Sequence, residues 1–194
     1  MARRILIING HPDAAPERLC AALCDAYAEG ARAAGREVRR LNVGALDFPL
    51  VRSRQDFEKG ALPGDIAAAQ AAVKWADHLV IVHPLWLGAA PALLKAFFEQ
   101  VFRYGFALEA GGGRGLGGLL KGRSARIIVT MGMPAFFYNL VFGAFGVRGF
   151  ERGVLWISGF RPVRHTFLGG IGGASAEARS GWLAKARRLG VRGI

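Results

Sequence analysis

With 194 residues, 52% of them hydrophobic and 21% charged, the chain has the balance of one globular domain and excludes a disordered or fibrous protein. Its 26 Lys and Arg against 14 Asp and Glu give a formal charge of +12. The basic residues are scattered from Arg3 to Arg192 without a dense run or interleaved aromatics, which argues for solvated surface charge and against a nucleic-acid partner.

No uninterrupted apolar run is long enough to span a bilayer, and the one after Arg4 is too short for a signal peptide. Cys20 and Cys24 have neither redox nor zinc spacing and share one helix face as small hydrophobes. The expectation is a soluble cytoplasmic protein with no metal site and at most peripheral membrane contact.

In chain order, Arg4 to Ile8 is a continuous apolar strand. Pro16 to Ala34 carries Leu19, Leu23, Tyr27 and Ala31 at helical spacing, and Gly35 sits where a left-handed cap stops a helix. Glu37 to Val43 alternates, the pattern of a half-exposed edge strand. Asp65 to Ala76 is a second helix with Ile66, Ala69, Val73 and Ala76 inward. Leu79 to Val82 is apolar without alternation, so both its faces are covered, as in a central parallel strand.

That strand ends in the Pro-bracketed aromatic loop His83 to Pro91. Pro91 fits the first helical position, and the helix Pro91 to Tyr104 follows. Leu93, Leu94, Phe97, Phe98, Val101 and Phe102 give this helix more apolar surface than one sheet face requires, which predicts a second buried interface. Gly105 to Gly122 is a glycine-rich loop or short hairpin too long for a simple connector. Ala125 to Thr130 is a fourth, continuous strand, Phe136 to Phe160 is unusually aromatic, and Val163 to Leu168 is a second edge strand.

Continuous strands one, three and four between alternating strands two and five match the order 2-1-3-4-5. The fold class is α/β, a doubly wound five-stranded parallel sheet in a single domain spanning residues 1–194. Such sheets bind ligands at the carboxyl ends of their strands where the order reverses, here between the loops that start at Gly10 and His83. The first loop leads into the amino end of a helix, where free N–H groups and the helix dipole attract anions. Arg18 adds a possible bidentate bond to phosphate, about 1.5–3 kcal/mol, against about 0.2–1 kcal/mol for an exposed pair with Asp13 or Glu17. Neither the G-x-G-x-x-G fingerprint nor a P-loop is present. His78 and His165 lie where structural or exposed roles are expected.

Several motifs recur in order: His11-Pro12 after strand one; His83-Pro84-Leu85-Trp86 with Pro91-Ala92-Leu93-Leu94-Lys95 after strand three; Gly105-Phe106-Ala107; and Thr130-Met131-Gly132-Met133-Pro134 after strand four. Together they resemble the NAD(P)H:quinone reductase branch of the flavodoxin-like superfamily, over nearly the whole chain. The Pro-Leu-Trp to Pro-Ala-Leu-Leu-Lys block is the specific part of the match. The same branch includes azoreductase-like members and the small reductase subunits that regulate glutathione-gated potassium efflux.

The resemblance implies a flavin, FMN or FAD, held noncovalently and reduced by NAD(P)H, with a quinone as acceptor in a ping-pong cycle. His11 and the backbone around Pro16 and Glu17 would hold the phosphate. Arg18 joins them on chemical grounds, since it replaces the small polar residue common in the family. Pro84, Leu85, Trp86 and Leu87 would line one edge of the isoalloxazine. Thr130, Met131, Gly132 and Met133 would close the other with backbone N–H groups.

Tyr138 falls at the spacing of a family tyrosine that manages charge during transfer and is the candidate catalytic residue. Phe145 stands where family members often carry His, and Phe106 and Phe145 are the candidate substrate-pocket residues. The resemblance also implies a homodimer with each site completed by the partner and the glycine-rich loop covering it. A regulatory subunit of a membrane transporter and a flavodoxin-type electron carrier are the alternative functions; the charge of +12 counts against the carrier.

Overall fold

A computed structural model describes residues 3–109 and 118–194. Five parallel strands form one sheet in the order β2-β1-β3-β4-β5, as the sequence pattern predicts. They are β1 (Arg4–Asn9), β2 (Glu37–Asn42), β3 (His78–Pro84), β4 (Ser124–Thr130) and β5 (Val163–Leu168). Every residue of β3 and β4 is buried, whereas none of β2 and only Thr166 and Leu168 of β5 are, so the unbroken apolar runs are the inner strands.

Helices cover both faces. Ile5, Ile7, Val80, Val82 and Ile128 pack under α1 (Leu19–Ala33) and α7 (Ala176–Arg192). Leu6, Ile8, Leu79, Ile81, Ile127 and Val129 face α3 (Gly64–Trp75) and α4 (Ala92–Val101). A short α2 (Arg54–Lys59) precedes α3, with Ser53 accepting the Asp56 N–H as its cap. The aromatic segment folds into α5 (Ala135–Leu140) and α6 (Phe145–Phe150), which continues as a π turn over Glu151–Trp156.

Three expectations are corrected. The first helix starts at Leu19 instead of Pro16, because Pro16, Glu17 and Arg18 close a turn in which the Arg18 N–H donates to Ala15 O. Pro91 is the cap of α4, not its first residue: its ψ of 145° is extended while its carbonyl already accepts the Lys95 N–H. The apolar surplus of α4 is consumed within the chain. Phe98 packs on Phe150 at 4.9 Å between ring centroids and Phe102 stacks on Phe160 at 6.0 Å, so that surplus leaves no second interface to fill. Much of the glycine-rich loop, residues 110–117, lies outside the described residues.

No helix among the described residues is long and apolar enough to cross a membrane. No cluster of three or more His, Cys, Asp or Glu side chains there could hold a metal ion.

Candidate flavin site

The loops after β1, β3 and β4 come together at the carboxyl ends of neighbouring strands, on either side of the place where strand order reverses. The loop after β1 is organised by its own side chains. Asn9 Oδ1 accepts the His11 N–H at 3.2 Å, His11 Nδ1 accepts the Asp13 N–H at 3.0 Å, and Asp13 Oδ1 accepts the Ala15 N–H at 2.9 Å. With Nδ1 engaged as acceptor, the neutral His11 ring carries its proton at Nε2, where it is free to donate.

The Ala15 N–H and the Arg18 guanidinium hold the Asp13 carboxyl below its usual range. Arg18 Nε reaches Asp13 Oδ2 at 2.7 Å, so its cation rests on an internal anion. Both partners are well exposed, so solvent screens the pair and it adds little stability. A phosphate that Arg18 grips in bidentate fashion would outbid it. Beyond Arg18, α1 begins with no side-chain cap and no acid in its first turn. The first N–H groups of a 15-residue helix therefore have no capping acceptor.

The loop after β3 separates the four residues expected at one flavin edge. Pro84 is buried in the sheet opposite Thr130, and Leu85 turns into the core with its N–H on Thr130 O at 2.8 Å. Trp86 and Leu87 project instead. Trp86 is half exposed and meets the His11 ring edge-on at 5.9 Å, which ties this loop to the first. Trp86 and Ala89 exchange both backbone hydrogen bonds at 3.0 Å around a two-residue turn with φ +48° at Leu87 and +79° at Gly88. A positive φ at Leu87, fully exposed, costs on the order of 1–2 kcal/mol and persists only where neighbours enforce it.

The loop after β4 also narrows the expectation. Thr130 is buried, its hydroxyl 3.6 Å from Cys20 Sγ, and the Met131 N–H is spent on Leu168 O at 2.9 Å. Only Gly132 and Met133, of those four residues, keep N–H groups free of a described acceptor. In the loop after the neighbouring strand, Leu87 and Gly88 likewise keep N–H groups free of a described acceptor.

Tyr138, the candidate catalytic residue, is buried. Its hydroxyl donates to Gly88 O at 2.8 Å and faces the Gly146 and Val147 N–H groups, while burial raises its pKa. Phe145 is largely exposed at the start of α6 and has no titratable group to replace the expected His. Phe106 is not brought to the crevice of its own chain. It follows the far end of α4 and packs on Phe102, with a helix of about 15 Å between it and the Trp86 turn.

The remaining ionisable candidates are structural. His78 lies on Ser124 at 2.8 Å, and burial with nearby Arg3 and Arg126 pushes its pKa down to about 3. His83 donates from Nδ1 to Pro84 O at 2.8 Å, and complete burial lowers its pKa to about 4. Burial raises the Cys20 and Cys24 thiols to about 11 and about 12, so neither supplies a thiolate near neutral pH.

The sequence signal missed α7 and the cap geometry that only packing reveals. Arg-rich α7 has too weak an apolar stripe to announce itself, and no local signal records that an N–H is already spent across the sheet.

A family model described as a flavodoxin-like fold matches residues 3–189. A ribosyldihydronicotinamide dehydrogenase-like protein of Penicillium crustosum is 29% identical over 191 residues, covering 85% of this chain and 67% of the relative. The human ribosyldihydronicotinamide dehydrogenase [quinone] is 32% identical over 118 residues, covering 61% of this chain but only 47% of the relative, so the match spans about half of that protein. The solved NAD(P)H:quinone oxidoreductase of Methanothermobacter marburgensis superposes with a TM-score of 0.81 over 99% of this chain and 96% of its own, at 22% identity, a likeness of fold.

Proposed function

The chain belongs to the flavodoxin-like fold family, and from that premise we propose that it is of the quinone reductase branch, an NAD(P)H-dependent oxidoreductase working through a noncovalent flavin, with quinones or related acceptors as substrates. One observation carries the reading. Three loops from separate parts of the chain converge where strand order reverses, bringing an uncapped helix start, an exposed indole and free backbone donors to one crevice.

The residues fit a flavin nucleotide by their chemistry. His11 Nε2, the first N–H groups of α1 and Arg18 suit the phosphate, and Pro16 and Glu17 shape the turn that leads to them. Trp86 and Leu87 offer an apolar wall, with the Leu87 and Gly88 N–H groups beside it. Gly132 and Met133 would offer fixed N–H dipoles to the negative charge of a reduced flavin, and fixed donors lower the cost of that charge.

When bound, the flavin supplies the reversible uptake and release of a hydride. In the overall balance NAD(P)H gives up a hydride and the quinone gains two electrons and two protons, one of them from solvent. Solvent is the fitting source here: the Tyr138 hydroxyl already donates its proton to Gly88 O, and Phe145 has no proton to give. The exposed Leu87 and Phe145 would limit water over the reacting face. Reductant and acceptor would use that face in turn, a ping-pong cycle. A homodimer is part of the reading, because Phe136, Leu140, Val141 and Phe142 stay exposed on and after α5 and because a second copy could bring Phe106 to the crevice.

Purified protein tests this directly. Flavin absorbance that NADH or NADPH bleaches and a quinone restores is the expected result, with mass analysis of the released chromophore separating FMN from FAD. Protein that takes up neither nucleotide would refute the reading.

A further inference from the structure

Tyr138, at the end of the buried side of α5, is a three-way junction. Its hydroxyl donates to Gly88 O at 2.8 Å. The same oxygen faces the Gly146 and Val147 N–H groups, which belong to the first turn of α6. Ala144, the residue in the capping position of α6, has no side chain able to accept them, and they lie close enough to the tyrosine oxygen to offset part of the rise that burial gives its pKa. Ala144 is itself in a left-handed conformation, φ +49°, with its N–H on Tyr138 O at 3.2 Å.

A second contact acts on the same turn. A Cβ on Gly146 would stand 2.1 Å from Gly88 O and 2.8 Å from Ala89 Cα, so the start of α6 lies directly on the backbone of the Trp86–Ala89 turn. That turn is the one holding Leu87 and Gly88 at positive φ. Strain of that kind needs an external restraint, and these two contacts provide it.

We propose that Tyr138 and Gly146 are positioning residues that clamp the Trp86–Ala89 turn against α6, and that the Tyr138 hydroxyl takes no part in proton transfer. The clamp fixes where the Leu87 and Gly88 N–H groups and the Trp86 ring stand. Its geometry is independent of any ligand; its consequence for binding rests on the flavin reading above.

The test uses the full chain with Tyr138→Phe and, separately, Gly146→Ala, which disturbs the same contact with the hydroxyl intact. In flavin-free protein, amide hydrogen exchange is followed by NMR at Ala89, Gly146 and Val147. Both variants are expected to exchange faster there, about tenfold, with the exchange of β3 and β4 unchanged. FMN binding, read by quenching of flavin fluorescence, should weaken about three- to tenfold in Tyr138→Phe, the worth of one hydrogen bond. The pH profile of quinone reduction should keep its shape.

Unchanged exchange in either variant overturns the clamp, and wild-type FMN affinity in Tyr138→Phe overturns its consequence for binding. Loss of one limb of the pH profile in Tyr138→Phe overturns the second half of the proposal by making the hydroxyl a proton donor. If wild-type protein binds neither FMN nor FAD, the flavin reading falls, while the exchange rates still decide the clamp.

Discussion

The same substitution at two glycines of α7 should have opposite effects on stability. Gly190 lies against α1 so closely that a Cβ there would stand 2.1 Å from Tyr27 O and 2.9 Å from Ala31 N, against 3.4 Å for ordinary contact, a shortfall of about 1.3 Å. The opposing atoms are backbone and cannot rotate away, so Gly190→Ala must push the helices apart. A gap of 0.5–1 Å already forfeits about a quarter to a half of the dispersion energy of the atoms that lose contact. The affected seam is the cluster of Leu183, Ala186 and Leu189 with Cys24, Ala28 and Ala31.

Overpacking of this kind costs about 1–3 kcal/mol, and rigid backbone places it at the upper end. Removing a helical glycine returns about 1 kcal/mol, leaving a net loss of about 2 kcal/mol. For a domain of this size that lowers Tm by about 4–8 °C. Gly181, in the same helix, would place its Cβ in open space. Gly181→Ala should therefore stabilise by up to about 1 kcal/mol and raise Tm by about 2–4 °C. Urea titration and thermal melts of both variants measure the contrast. Equal stability in the two would refute the idea that backbone contact joins α1 to α7.

Other consequences concern the site and its surroundings. Trp86→Ala should weaken flavin retention about tenfold while leaving Tm near wild type, since the indole is half exposed and, among the described residues, meets one aromatic ring, His11, edge-on; unchanged flavin content would remove Trp86 from the site. Arg18→Ala removes one exposed ion pair, so apoprotein stability should change by less than about 1 kcal/mol, while flavin affinity falls about ten- to a hundredfold if the guanidinium holds phosphate. Denaturant titrations beside flavin titrations separate the two effects. Stability should also fall on acidification from about pH 6.5 downward. His78 and His83 stay neutral in the fold to about pH 3 and about pH 4 while the unfolded chain takes up a proton at each near 6.5, so the unfolded state binds more protons throughout that window. The two together are worth about 2–4 kcal/mol between pH 7 and 5. Replacing both with apolar residues should flatten that slope, as urea titrations at several pH values would record; an unaltered slope would assign it elsewhere.

Much of this architecture is written locally. Leu79 to Val82 and Ile127 to Val129 read as inner strands because a run without polar alternation has to be covered on both faces. Val38 and Leu41 among Arg39, Arg40 and Asn42 read as an edge for the converse reason. Gly35, with φ +72°, ends α1 where its lack of a Cβ allows. The Pro-Leu-Trp loop could be placed because strand order alone brings it to the crevice.

The site was legible as a set of residues but not as a set of roles. Met131 sits in the right loop, yet its N–H belongs to Leu168, and the partner is distant in sequence. Tyr138 has the spacing of a charge-managing tyrosine, yet it is buried and its hydroxyl is spent on Gly88 O. The apolar excess of α4 is real, but Phe150 and Phe160, some fifty residues on, are what satisfy it. Sequence determined which segments are strands, which are central and where a ligand crevice opens, because periodicity and burial are properties of neighbours along the chain. Only the tertiary structure decided which donors remain free and which side chain restrains which turn, because a hydrogen bond can be spent once and its partner is chosen by packing.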